Sequence, residues 1–200
     1  MEHSKQTIPH FHLQTSANAE AMAARRKALA GEPIAWDAFF IHAAGKALLR
    51  FERLTYRFEE DRLVSQGVDA VGLAVDLQGD LFTLAIERPA DKGPAAISRE
   101  IAEGVARLRS GDPRARLGRT ASLTVSNLGG SGIESFAAVI NPPESAILAV
   151  GKVMPAVTVV EGRVVVQNRV NLTLSVDHRV ASGKYAAEFL GVIVQELECL

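Results

Sequence analysis

Cysteine is nearly absent from the chain: Cys199 is the only one among 200 residues. A single thiol excludes an intrachain disulfide framework and a cysteine-based zinc site, and it fits a reducing, cytoplasmic setting. An excess of charge of either sign is missing too. With 22 basic against 23 acidic side chains the formal net charge is -1, so no long-range field recruits nucleic acid or an anionic membrane. The densest basic run, Arg25-Arg26-Lys27, sits among alanines and reads as the solvated face of a helix. Long apolar runs are also missing. The best, Ser145 to Val160, is broken by Lys152 and Pro155 and falls short of the roughly 18 residues that a membrane span needs. No basic-then-apolar leader opens the sequence. These absences describe a soluble protein without nucleic-acid or membrane partners.

What is present suits a folded domain. Hydrophobic residues make up 48% and charged residues 22%, close to the globular average, and the length fits one domain over residues 1–200. Ile8 to Gln14 alternates as a half-buried strand. Ala17 to Ala30 reads as a helix stopped by Gly31-Glu32-Pro33. From Trp36 to Arg53, Phe39, Phe40, Ala43, Ala47, Leu48 and Phe51 recur at helical spacing, with Asp37 near the start. Val71 to Val75 and Leu81 to Ile86 flank the turn Gln78-Gly79-Asp80 and read as a hairpin. Pro89 to Pro94 is an expected loop, and Ala95 to Ser110 a helix ended by Gly111-Asp112-Pro113. Beyond Ser122, β-branched residues dominate, giving strands at Leu123 to Ser126, Ala146 to Val153, Ala156 to Val160, Val164 to Gln167 and Leu172 to Val176. Glu161-Gly162 ties the middle pair, and Ser182 to Glu198 closes the chain as a helix. The class is α+β, with a mixed, largely antiparallel sheet packed by helices.

Three groups of residues invite a chemical reading, each beside a plainer one. His178 follows an alternating strand and precedes Gly183, so it lies at a strand-to-helix junction where side chains project beyond a sheet; an ordinary loop histidine fits the same spacing. Ser126 and Asn127 lead into Leu128-Gly129-Gly130-Ser131-Gly132, a loop offering backbone N–H groups and close approach to a ligand, or simply a glycine-rich turn. This loop lacks the Gly-Lys-Ser/Thr ending of a Walker loop and the second glycine of a nucleophile elbow. His10 and His12 face one side of the first strand, a geometry that suits a metal, but no third ligand is evident. Cys199 has no neighbouring base. Trp36 and the phenylalanines read as core or interface anchors.

Together, several segments resemble the catalytic domain of the dihydrolipoamide acyltransferases, the E2 components of 2-oxoacid dehydrogenase complexes. They are Ile8-Pro9-His10-Phe11, Ser126-Asn127-Leu128-Gly129, the run from Ile140-Asn141-Pro142-Pro143-Glu144-Ser145 to Gly151, and Leu172 to Val180 with Asp177-His178-Arg179-Val180. The resemblance implies an α/β sandwich similar to chloramphenicol acetyltransferase. It implies a homotrimer with active sites at subunit interfaces, where coenzyme A enters from one end and a lipoyl thiol from the other. His178 of one subunit would then serve as general base and meet Ser126 of the neighbour, the donor to the tetrahedral oxyanion. Asn127 and Ser182 would contribute to substrate binding. No metal is implied.

Two local departures stand out. The family signature runs His-x-x-x-Asp-Gly, and Ser182 occupies the aspartate position. Val75 to Ile86 lacks the Thr-Pro-Gly-Gly turn that borders the family's channel. The sequence also shows no lipoyl or peripheral-subunit-binding domain, so the expectation is a lipoyl group supplied in trans, a free thiol as acceptor, or no catalysis. The expectation is acyl transfer between coenzyme A and a thiol such as dihydrolipoamide; the alternatives are a non-catalytic trimeric scaffold or core subunit, and transfer to a small alcohol.

Overall fold

The computed structural model describes residues 2–28, 31, 34–112 and 120–200. In chain order they form α1 (Glu2–Thr7), β1 (His10–Asn18), α2 (Glu20–Ala28), α3 (Trp36–Leu48), β2 (Tyr56–Glu59), β3 (Arg62–Ser65), β4 (Ala70–Leu77), β5 (Asp80–Glu87), α4 (Pro94–Arg109), β6 (Leu123–Asn127), β7 (Ala146–Val150), β8 (Met154–Val160), β9 (Arg163–Asp177) and α5 (Gly183–Glu198). One sheet runs β1-β9-β7-β6-β4-β5, with β8 paired to the first half of β9; β2 and β3 form a separate hairpin. Only β4–β6 and β6–β7 pair in parallel among the described strands, so the sheet is mixed and largely antiparallel, as the composition of the second half suggests.

Residues directly opposite each other across a pair of strands share a face, and the register therefore sorts the sheet into two unlike sides. His12, Ser175, Ile147, Thr124 and Gly72 form one row, and Gln14, Thr173, Ala149 and Ser126 the next. The intervening residues, among them Leu123, Val125, Leu148, Leu174 and Val176, point to the other side and are fully buried. Helices cover that apolar side. α3 packs on β4 and β6, α4 on β5, and α5 on β1, bringing Phe39, Phe40, Phe189 and Ile193 into the core.

Several elements differ from the sequence expectation, each for a local reason. Asn18 accepts the Glu20 N–H through Oδ1 (2.9 Å), an N-terminal capping contact that lets β1 run to Asn18 and delays α2. Arg26 does not lie on a solvated face: its guanidinium stands 4.5 Å over the Trp36 ring and its Nε donates to the Ile34 carbonyl at 2.7 Å. α3 stops at Leu48, and Phe51 turns inward to meet Tyr185 and Phe189 edge-on. The two strands expected at Val164 to Gln167 and Leu172 to Val176 are one strand, because Arg169 is carried through by hydrogen bonds to Ser16 of β1. α1 and the β2–β3 hairpin were not anticipated. Glu32, Pro33 and Pro113, expected in helix exits, lie outside the described residues.

The Glu161-Gly162 turn forms as expected, and the expected break Gln78-Gly79-Asp80 closes as a two-residue turn, with Asp80 already the first residue of β5. Gln78 and Gly79, and likewise Glu161 and Gly162, take positive φ at both central positions, the conformation whose twist matches that of antiparallel strands.

Candidate active site

His178 is the first residue beyond β9, and its position is fixed by its two neighbours. Asp177 is buried, at 3% exposure. It accepts from three groups of Arg179: the backbone N–H at 2.9 Å, Nε at 3.0 and 3.2 Å, and Nη2 at 2.8 Å. Its hydrogen bonds hold the guanidinium still more firmly in the charged form. The Arg179 guanidinium also stacks 4.5 Å over Phe58 of β2, so the unanticipated hairpin secures this clamp. With residues 177 and 179 joined on one side of the chain, the side chain between them is turned away. His178 is exposed, its ring centroid lies 4.9 Å from that of Phe11, and its N–H donates to the Pro9 carbonyl at 3.1 Å. The result is an accessible imidazole on a rigid support.

Ser126 lies half-buried near the end of β6 on the polar face of the sheet. Asn127 points to the opposite, helical side. There its Nδ2 donates to Asp37 Oδ1 at 2.7 Å, and its Oδ1 accepts the Gly129 N–H at 2.9 Å. Burial raises the pKa of the Asp37 carboxyl, with the Asn127 hydrogen bond opposing the shift. Asn127 thus brackets the first turn of α3 to the glycine segment. That segment offers fewer free N–H groups than its sequence suggests: Gly129, Ser131 and Gly132 donate within the turn itself. Gly132 takes a positive φ, whereas the requirement at Gly129 is steric. A Cβ on Gly129 would lie 2.6 Å from the Gly151 carbonyl oxygen, and one on Gly151 would meet the Glu134 carbonyl oxygen closer still.

From there, residues 133–145 run back across the polar face, held by their own carbonyl and amide groups. Lys152 N–H donates to the Ile133 carbonyl (2.7 Å), Asn171 Nδ2 to that of Glu134 (3.1 Å) and Ser175 Oγ to that of Ala138 (2.8 Å). His10 Nε2 accepts the Ile140 N–H at 3.1 Å, which leaves its Nδ1 as the donor to the Ile8 carbonyl at 2.8 Å. The neighbouring His12 meets Ser175 Oγ through Nδ1 at 2.9 Å, and burial together with His10 and Lys5 lowers its pKa. The histidine pair of β1 therefore anchors a chain segment. Among the described residues no group of three or more His, Cys, Asp or Glu side chains is placed to hold a metal. A groove of about 280 Å³ remains open beside this segment, lined by Gln14, Ser16, Ser135, Asn171 and Thr173.

The structure does not bring His178 and Ser126 together within one chain. Ser126 is level with Thr173 through Ala149, two strand spacings of about 5 Å each away, and His178 lies about 16 Å farther along the line of β9. The two residues lie at opposite ends of the central strands. Ser182 opens α5, where its Oγ accepts the Tyr185 N–H at 3.4 Å. Serine, aspartate and asparagine all fill such a capping position well. Sequence reasoning missed the Asp177–Arg179 clamp, the anchoring part of His10 and the burial of Glu144. The one signal available was an acidic residue placed two positions before an apolar strand.

The comparisons with known proteins agree with this architecture. The family described as 2-oxoacid dehydrogenases acyltransferase (catalytic domain) matches residues 1–200. The chain is 30% identical over 202 residues to the dihydrolipoyllysine-residue acetyltransferase component of the pyruvate dehydrogenase complex of Rickettsia felis, covering 98% of this chain and 49% of that one. It spans about half the length of the curated relatives it matches. The dihydrolipoamide acetyltransferase of Azotobacter vinelandii superposes with a TM-score of 0.90 at 26% identity, over 98% of this chain and 84% of that one. The cubic core of a pyruvate dehydrogenase multienzyme complex superposes with a TM-score of 0.91 at 27% identity and the same coverage. Chloramphenicol acetyltransferase, 12% identical with a TM-score of 0.59 over 98% of this chain and 92% of that one, shares the fold alone. No helix among the described residues is long and apolar enough to cross a membrane. On its sequence and its fold alike, the chain belongs to the 2-oxoacid dehydrogenase acyltransferase catalytic-domain family.

Proposed function

We propose that the protein transfers acyl groups between coenzyme A and a thiol acceptor of the dihydrolipoamide type. A lipoyl thiol presented on a separate domain is the natural acceptor, and a reducing cytoplasm, in keeping with the exposed Cys199 thiol, is the setting. The observation that carries this reading is one of spacing. The Azotobacter study concerns a serine, a histidine and an asparagine in the catalytic mechanism, the serine 52 residues before the histidine and the asparagine 4 after it. Ser126 and Ser182 stand at the same separations from His178. An aspartate is not the residue named at the last of these positions, so Ser182 is a smaller departure than the sequence signature alone suggests.

The chemistry follows from the residue types. A thiol with a pKa near ~8.5 is mostly protonated at neutral pH, so a neutral imidazole must take its proton as sulfur attacks. In the forward step His178 accepts the S–H proton of coenzyme A while the sulfur bonds to the thioester carbonyl carbon of the acylated acceptor. The carbonyl oxygen becomes an oxyanion, to which the Ser126 hydroxyl donates. When the intermediate collapses, the acceptor sulfur leaves and takes the proton back from the imidazolium. No further reactant is needed.

Because His178 and Ser126 are far apart in one chain, a complete site takes two copies, and a homotrimer with interfacial sites is the assembly we propose. An exposed apolar face supports association. Val157, Val159, Val164 and Val166 share one face of the β8–β9 hairpin, each between 69% and 73% exposed, a contiguous apolar patch of the kind that marks an association surface.

The deciding experiment is a transfer assay with acetyl-CoA, branched short acyl-CoAs and dihydrolipoamide. His178→Ala should lower turnover by roughly 10²- to 10⁴-fold, the usual contribution of a positioned base. Turnover unchanged by that substitution would sink the assignment, and a monomer by light scattering would contradict the interfacial site.

A further inference from the structure

Glu144 is the least expected side chain on the polar face. It lies two residues before β7 and is only 4% exposed, in a position where a carboxylate would be a buried charge. Its Oε1 accepts from Thr124 Oγ1 at 2.8 Å and from Asn141 Nδ2 at 3.4 Å. Asn141 in turn reaches Thr83 Oγ1 of β5 at 3.4 Å. Its Oε2 is buried without a hydrogen-bond partner among the described residues. Room for this cluster exists because β4 has a glycine here: a Cβ on Gly72 would lie 2.6 Å from Thr124 Oγ1 and 2.7 Å from Thr83 Cγ2.

An ionised carboxyl group with four acceptor sites and no cation is the costliest occupant of such a place, and a protonated one is the cheapest. Burial and the unpartnered Oε2 match the neutral acid, while the donors act in the opposite sense. Oε1 takes both side-chain donors, and Oε2 is the oxygen left to carry the proton. Thr124 stands two residues before Ser126 on β6, on the same face and about 7 Å along the strand, so whatever fixes Thr124 also fixes the strand end that presents Ser126.

We propose that Glu144 is a positioning residue of the transfer site: as a neutral acid it locks Thr124 and residues 141–145, and its ionisation releases them and shuts transfer down at alkaline pH. The proposal rests on the reading of Ser126 as the oxyanion donor. Glu144 is met by Thr124 of β6, through hydroxyl and backbone N–H, and by Asn141 of its own segment. Gly72 of β4 and Thr83 of β5 complete the cluster, and none of these groups ionises. Burial pushes the carboxyl up to about 8, against smaller lowering effects of these hydrogen bonds. The sign is that of an acid whose folded-state pKa is raised. The stabilisation is complete below the ordinary carboxyl value, declines as the pH rises above it, and is exhausted once the pH passes about 8.

The test compares wild type, Glu144→Gln and Glu144→Ala in the transfer assay between pH 6 and 9.5, with thermal melts of all three across the same range. Glu144→Ala should lower kcat at pH 7 by roughly ten- to a hundredfold through misplacement of the site, with a smaller change in KM, and the isosteric Glu144→Gln should rescue it. Above about pH 8 the wild-type kcat should fall roughly tenfold per pH unit, a limb that Glu144→Gln loses while keeping the acid limb. Identical alkaline limbs, or a Glu144→Ala kcat equal to wild type, would overturn the proposal. Wild type inactive with every acyl donor would instead overturn the acyl-transfer reading. In that case the melts still decide the ionisation: a wild-type midpoint falling relative to Glu144→Gln from pH 6 to 9 supports a neutral buried acid, and parallel curves exclude it.

Discussion

The two faces of the central sheet are made by the same strands, yet they differ in nearly every physical respect. On the helical face, strand leucines and valines meet Phe39, Phe40 and Phe189, and the contacts are non-directional. On the other face the buried residues include Ser122, Thr124, Thr173, Ser175 and Asp177, and the cover is an irregular segment held by directional hydrogen bonds. Apolar burial tolerates small shifts, whereas a hydrogen bond weakens steeply when its angle or length is disturbed. One face therefore supplies stability, and the other supplies geometry.

Substitutions can break this division or sharpen it. The largest effect is expected on the apolar face. Phe189→Ala should cost roughly 3–5 kcal/mol of unfolding free energy, read by denaturant melts, while the folded fraction keeps its specific activity. A selective loss of kcat instead would show that the helical face also tunes the chemistry. Next comes Ser126→Ala on the polar face, which should raise the transfer barrier by roughly 2.7–4 kcal/mol, as for loss of one oxyanion donor, and leave the melting temperature unchanged. A large stability loss with proportionate activity would make Ser126 a packing residue. The smallest effect belongs to the junction of the two faces. Ser182→Ala should destabilise the protein by about 1 kcal/mol through the lost cap of α5, and Ser182→Asn should be nearly neutral. If Ser182→Asn instead raises kcat/KM without changing stability, the position acts on substrate as well as on the helix.

The same contrast explains what could be read from the sequence. The apolar face declared itself by periodicity: the β4–β5 hairpin, α4 and α5 have the expected extents within a few residues, and Glu161-Gly162 turns as its composition suggests. His178 was legible as a residue beyond a strand end. The hidden parts depend on contacts between distant segments. Arg169 gives no hint in sequence that it joins two short strands into one, because its partner is Ser16. The β2–β3 hairpin turns on Glu60 and Asp61, both at positive φ, where Asn-Gly would have signalled the turn. Glu144 was visible as part of a motif, but its environment is assembled from β4, β5 and β6, which no local pattern reports.

The pairing of β1 with β9 also has a kinetic consequence. Residues 163 positions apart, such as His12 and Ser175, become hydrogen-bonded neighbours, and the His178 N–H is held by Pro9. Closing so long a loop is entropically slow and cannot begin on the ribosome until nearly the whole domain has emerged. His178 is thus among the last residues to find its support, and a chain in which β1 has frayed from β9 presents an imidazole without its platform. Shortening the chain into β1 should therefore abolish activity before it abolishes secondary structure.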